Sequence, residues 1–326
     1  MQEINYENLG AIEREPQVSD FHLGSFTTEN PIPESYNIPF QFPIEMQGKQ
    51  PACGAHAGAY LKDQQDNTRL SPAYLWKKIK QIDGFPAEDG TDMLSIMKAL
   101  KASGDCSFDL LGNDVSVDLN TYKDPSAITQ EMDTDAQNHR ISTYAFNWNP
   151  SFDELKRAIY EHGPVIMLLR VGSEWWTDKN GNGSWQEKDI LPLRANNPIT
   201  SGHFVVATGY DKDYIYFVNE WSENWGRNGY GYFGEDYMYR CVEIGTAVDA
   251  DTKYVFSKVL KIGSHGTDVG MLQKKLKDLG FFPASQSITS FFGSITYKAV
   301  QAFQRANGLT PDGIVGPKTN AVLNNL

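Results

Sequence analysis

Apolar residues change rhythm along this chain, and that change limits the folds open to it. Around residues 53–66, 71–82 and 91–103 they recur at helical spacing, and Ser71-Pro72 supplies an N-cap followed by proline at the first helical position. From about residue 164 onward the pattern becomes short runs rich in Val, Ile and aromatics: 165–171, 203–209, 214–219 and 230–233. Such runs mark strands. Helices first and strands second predict an α+β architecture. Residues 1–31 are polar and turn-rich, without sustained periodicity, and predict an extended N-terminal arm.

Charge locates a second boundary. Residues 258–326 hold eight Lys or Arg against Asp268, Asp278 and Asp312, a net of +5 that leaves −17 on the rest of a chain whose total is −12. Such asymmetry separates domains at about residue 257, and the length of 326 residues suits two. The acidic total excludes the balance expected of a nucleic-acid binder. No apolar run approaches the ~18 residues of a membrane span. The N-terminal stretch MQEINYENLG lacks a basic start and an apolar core, so no signal peptide is expected in it. Cys53, Cys106 and Cys241 are too few for a disulfide framework, and their odd number leaves a thiol to explain.

A thiol becomes a nucleophile at neutral pH when a helix N-terminus or a neighbouring imidazolium stabilises its thiolate. Cys53 stands where a helix should begin, between Gln47-Gly-Lys-Gln-Pro-Ala52 and the small-residue run Gly54-Ala-His-Ala-Gly-Ala59. His203, opening an apolar strand, is a candidate base, and Asn219 offers an amide to orient it. His56 lies three residues from Cys53 on the same helix face and competes as base, though with no orienter it reads as a packed core histidine. Cys106 and Cys241 read as buried thiols, with a mutual disulfide as the alternative.

Over residues 32–257 the sequence resembles the papain-like cysteine peptidase family. The carrying residues are Gln47 six before Cys53, His203 leading to Gly209-Tyr210, and Asn219, Trp221, Trp225-Gly226 and Gly229-Tyr230 in order. The resemblance implies a two-lobed fold, a helical lobe plus an antiparallel β-barrel-like lobe. It also implies roles: Cys53 as nucleophile, His203 as base and then acid, Asn219 as orienter, and Gln47 as oxyanion donor. Trp221 would shield the Asn219 to His203 bond, Gly90 would mark the stretch that pairs backbone-to-backbone with substrate, and Phe204 would narrow the pocket beside the base. Departures from the family pattern are Gly54 in place of tryptophan, His56 in place of phenylalanine, Glu220 and Ser222 around Trp221, and Gln50 in place of a disulfide cysteine. With only 31 residues ahead of Ile32, the arm is expected to lie across the cleft or the domain surface.

Asp178, Asn180, Asn182 and Asp189 fit the spacing of a calcium loop, the alternative being a loop whose Asn-Gly steps supply positive φ. No cofactor is otherwise expected. Residues 258–326 contain an internal echo, Gly293…Thr296…Ala299-Val300 and Gly316…Thr319…Val322-Leu323, each a turn feeding a helix. With a helix near Leu272–Gly280 this predicts a small three-helix unit, and it resembles the peptidoglycan-binding domain of bacterial wall hydrolases. Together these readings predict an endopeptidase acting on polypeptides while held to peptidoglycan or another wall polymer, in the cell envelope or outside the cell, from a bacterium or its phage. The alternatives are a lysin cutting peptidoglycan stem peptides, and a non-catalytic wall-binding protein with a peptidase-like fold.

Overall fold

The small residues after Cys53 set the packing of the first half. In the computed structural model, helix α1 (Cys53–Asp66) is buried from Cys53 through Asp63. A side chain on Gly54 would meet Thr91 and Ile96 at 2.8 Å, and one on Gly58 would meet Leu75 at 2.7 Å. The absence of tryptophan at position 54 therefore has a steric cause, because α2 (Pro72–Lys80) and α3 (Met93–Ala102) close directly onto this face. Ser71 caps α2 by accepting from Tyr74 N, and Asp92 caps α3 by accepting from Ser95 N at 2.7 Å. These three helices agree with the predicted spans. The structure describes the chain apart from residues 1–3, 18–19, 29, 85–88, 177–191, 195–196, 249–255, 257, 266, 284–285, 287, 290 and 326.

Three further helices, α4 (Leu119–Lys123), α5 (Gln130–Ala136) and α6 (Phe152–His162), were not anticipated. The last opens on a reciprocal cap, Ser151 Oγ accepting from Glu154 N while Glu154 Oε2 accepts from Ser151 N at 2.7 Å.

The strands are β1 (Tyr36–Asn37), β2 (Thr143–Trp148), β3 (Val165–Gly172), β4 (Ile199–Tyr210), β5 (Ile215–Val218), β6 (Tyr230–Phe233) and β7 (Cys241–Val248). They form one antiparallel sheet in the order β2-β7-β3-β4-β5-β6, with β1 added to β4. The chain returns from β6 to insert β7 between β2 and β3, and three strands absent from the sequence reading, β1, β2 and β7, complete the sheet. Phe146, Ile166, Leu168, Phe204 and Val206 from the sheet share one apolar core with Trp76, Ile79, Met97 and Leu100 from the helices. Truncating one such residue to alanine costs about 2–5 kcal/mol.

Residue contacts divide the molecule into two units, Met1–Arg14 with Asn30–Asp249, and Glu15–Glu29 with Ala250–Leu326. Residues 1–31 are thus shared between the two units. That second unit contains α7 (Thr267–Asp278), α8 (Ser294–Ala306) and α9 (Pro317–Asn325) around Val269, Leu272, Leu276, Phe292, Val300, Phe303 and Leu323. The internal echo has a structural meaning. Gln273 donates to Phe291 O at 2.9 Å and Thr296 Oγ1 at 2.8 Å, and its Oε1 accepts from Thr289 N. Gln304 repeats the device one helix later, donating to Ile314 O at 2.9 Å and Thr319 Oγ1 at 3.1 Å while accepting from Gly313 N. Each buried glutamine fastens the turn that launches the next helix.

Candidate active site

Cys53 is the first residue of α1, so its thiol stands at the end of the helix where free backbone N–H groups favour an anion. His203 lies on β4, registered opposite Leu169 of β3, and Asn219 follows directly on β5. Both are fully buried. Asn219 Oδ1 lies 2.9 Å from His203 Nε2. A carbonyl oxygen can only accept, so Nε2 carries the proton and Nδ1 keeps its lone pair. Nδ1 is buried without a hydrogen-bond partner. Sγ of Cys53, a ring nitrogen of His203 and a carboxylate oxygen of Glu220 all lie within 4.8 Å of one another. The fold therefore brings a thiol to a base of the correct tautomer.

Aromatic rings seal this pair. Trp221 stacks on the His203 ring at 4.9 Å, and Trp175 meets it edge-on at 5.6 Å. Trp221 Nε1 also donates to Gln47 Oε1 at 3.1 Å, which fixes the Gln47 NH2 as the donor, one bond going to Gln50 O at 2.8 Å. Gln47 is positioned through its backbone as well. Its N–H bonds Glu220 O at 2.8 Å, and Ser222 N bonds Glu45 O, so residues 45–47 run beside 220–222. The predicted oxyanion donor and the predicted orienter thus share one pair of crossing segments.

The arm enters here. Leu9 O accepts from Gln47 Nε2 at 2.9 Å, and Leu9 N donates to Ser201 Oγ at 3.3 Å. Thr91 N bonds Gly10 O and Ile12 N bonds Thr91 O, both at 2.9 Å, a parallel backbone pairing that centres on Ala11. Here the Thr91 backbone pairs with the arm, and Gly90 keeps the approach open: a side chain on it would meet Gly10 O at 2.8 Å. Gly10 is itself obligatory, with φ of +100° and space for a side chain only 2.0 Å from Pro51 O. Tyr6 stacks on Trp176 at 4.5 Å and meets Trp221 edge-on. Glu13 takes a two-pronged bond from Arg170, and Arg14 pairs with Glu243 at 2.7 Å. Residues 6–14 therefore lie beside Gln47, Thr91, Ser201 and Trp221.

Burial governs the titration of the pair. It pushes the His203 imidazole down to about 3, against the Asn219 bond, which favours the charged ring. Burial, then the charge of Glu220, pushes the Cys53 thiol well up, against the backbone amides of Phe204, Gly54 and Cys53. With the arm seated, the thiol and imidazole are both neutral.

The remaining expectations sort as follows. His56 is fully buried, its Nδ1 bonded to Ala52 O and its Nε2 to the Asn113 amide, each at 3.0 Å, and it is a packed core histidine. The Phe204 side chain belongs to the core shared with the helices, and its backbone amide is the part that serves Cys53. Cys106 and Cys241 are free, buried thiols. Asp178, Asn180, Asn182 and Asp189 lie outside the described residues. Thr91, Trp175, Trp176 and the arm residues at the site were missed by sequence reasoning, and Glu220 was noticed only as a departure.

Two stretches of the chain match models of known families. Residues 107–250 match the family model of papain family cysteine proteases, and residues 265–323 match that of a putative peptidoglycan binding domain. Gln47 and Cys53 fall before the first of these stretches, and the fold supplies them. Solved structures of similar fold include xylellain, a cysteine protease from Xylella fastidiosa, at 21% identity and TM-score 0.60, covering 74% of this chain and 97% of that one. Procathepsin B S9 of Trypanosoma congolense follows at 16% identity and TM-score 0.55, covering 74% and 87%. Curated relatives include the N-acetylmuramoyl-L-alanine amidase CwlM of Mycobacterium tuberculosis, 44% identical over 55 residues, which are 17% of this chain and 13% of the relative. The zinc D-Ala-D-Ala carboxypeptidase of Streptomyces albus G is 42% identical over 69 residues, 21% of this chain and 27% of the relative. The chain thus spans about a quarter or less of the curated relatives it matches. No helix among the described residues is long and apolar enough to cross a membrane. By fold and by these matches the chain is similar to papain family cysteine proteases, and its C-terminal stretch to a peptidoglycan binding domain.

Proposed function

We propose that this chain is a cysteine endopeptidase that cleaves polypeptides while its C-terminal domain holds it to peptidoglycan. The observation that carries the reading is the buried Cys53, His203 and Asn219 arrangement, with the free edge of His203 turned from Asn219 and the Gln47 amide beside it. In the reaction, Cys53 Sγ passes its proton to His203 Nδ1 and attacks the scissile carbonyl carbon. The tetrahedral oxyanion faces Gln47 Nε2 and the Cys53 backbone N–H, a donor pair in which one member is worth on the order of 3 kcal/mol. His203 then protonates the leaving amine as the C–N bond breaks. Water, activated by the same imidazole, hydrolyses the thioester and restores the thiol. Asn219 holds the ring throughout, and Trp221 keeps water from that bond.

Leu9 O occupies the Gln47 donor, so the arm must leave before substrate enters. Wall tethering rests on the match over residues 265–323 and on the positive charge of that region, which suits polymers bearing carboxylates and phosphates.

A second reading, a lysin that cuts peptidoglycan stem peptides, is favoured by the wall enzymes among the curated relatives. Purified walls and a denatured protein are incubated separately with the chain and with Cys53→Ala. Cleavage of the protein alone, lost by at least about 10³-fold in the variant, supports the endopeptidase. Release of stem peptides from walls alone would establish the lysin instead. Undiminished cleavage by Cys53→Ala would overturn both.

A further inference from the structure

Glu220 is the one chemically unusual group at this site. It is fully buried, and among the described residues no other residue hydrogen-bonds either carboxylate oxygen. Its Oε1 lies 3.5 Å from His203 Nε2, the same edge of the ring that Asn219 holds. A carboxyl group with no donor is costly to bury, and packing alone would be served by an apolar side chain or a satisfied amide. The groups that face it or act on it are Cys53 and Tyr60 from α1 and His203 from β4, with His56 behind the ring and Glu45 beyond Tyr60.

We propose that Glu220 is a positioning residue for His203: from beside Asn219 its carboxylate holds the imidazolium that forms when Cys53 gives up its proton. The inference rests on the peptidase reading. In the closed, neutral state Glu220 keeps its proton, because burial raises its pKa well above the ordinary carboxylate value. When the reactive pair forms, the Cys53 proton moves to His203 Nδ1 and the Glu220 proton goes to solvent. The three groups then carry one negative charge in total, with the positive charge on the imidazolium. Attraction at the Nε2 edge favours the pair, while repulsion between Glu220 and the thiolate opposes it. The 3.5 Å from Glu220 Oε1 to His203 Nε2 sets the attraction on which the inference rests. Two neighbours then divide the work on one ring, Asn219 fixing its orientation and Glu220 its charge.

The test reads the dyad without any peptide substrate. Rates of Cys53 alkylation by iodoacetamide are measured against pH in the full chain and in a Gly10→Val background, whose arm cannot seat. Cys53→Ala corrects for Cys106 and Cys241. In Glu220→Gln, which keeps the shape and removes the charge, the midpoint on the acid side moves up by about one pH unit or more. In Glu220→Asp it moves up by less, since the charge is kept and withdrawn by one methylene. That variant serves alone if the glutamine variant folds poorly by circular dichroism. A midpoint that stays in place would overturn the inference, and so would one that falls, which would make Glu220 chiefly an antagonist of the thiolate. Failure of Cys53 to react in any form would instead overturn the reading of Cys53 as nucleophile.

Discussion

Buried polar groups are treated in opposite ways in the two units of this molecule. In the C-terminal unit, Gln273 and Gln304 satisfy donor and acceptor alike against the turns that precede the next helices. In the catalytic unit, His203 Nδ1, Asn219 Nδ2 and both oxygens of Glu220 are buried without hydrogen-bond partners. The first arrangement fixes a shape. The second keeps unmet valence for reaction partners, at a cost in stability that the surrounding core must cover. Gln273 and Gln304 are thus built for architecture, and the unsatisfied atoms around His203 for chemistry.

Substitutions can break this contrast. The largest effect is expected from Gln47→Ala, which removes an oxyanion donor: kcat on a denatured protein substrate falls about 10²-fold, about 3 kcal/mol, while the melting temperature changes little. A fall in stability with kcat unchanged would make Gln47 architectural. Next comes Gln304→Ala, which strips partners from Gly313 N, Ile314 O and Thr319 and should destabilise the C-terminal unit by about 2 kcal/mol in urea unfolding. Its peptidase rate should equal that of the parent. A smaller change, an increase in activity of about tenfold, is expected for Gly10→Val, which cannot keep the backbone bonds of the arm to Thr91 and Gln47. Lower activity there would mean that the arm supports the site rather than filling it.

The smallest effect concerns pH. The folded-state pKa of Glu220 is raised above 4.5, so the native chain retains a proton that the unfolded chain has released. Its contribution to stability is therefore full at low pH and is lost as pH rises from the ordinary carboxylate value through the folded one. Glu220→Gln should flatten that decline, measured from urea midpoints at pH values above the ordinary carboxylate range. An unchanged slope would show that Glu220 titrates normally.

The site was more legible in the sequence than the frame that holds it. Gln47, Cys53, His203 and Asn219 could be found because reaction chemistry fixes their types and order, whatever lies between them. Strand β7 was missed because its place between β2 and β3 is decided by partners about 75–100 residues away, and Glu243 and Gly245 interrupt its apolar pattern. Helix α6 carried a readable signal in Ser151 and Glu154 that went unused. The path of the arm had no local signal, since Gly10 matters only through Pro51 and Gly90. Glu220 stood in plain view as a departure from the family pattern. Its meaning needed the tertiary distance to His203.

One consequence follows from the way residues 45–47 run beside 220–222. The donor that would receive the oxyanion and the amide that steers the base are carried on paired strips of backbone, whereas the sulfur stands at the start of helix α1. Breathing of the groove would therefore carry Gln47 and Asn219 as one piece and vary chiefly the gap from His203 to Cys53. Ligands that wedge the groove open should slow attack by the thiol while leaving the alignment of imidazole and carbonyl-binding amide intact.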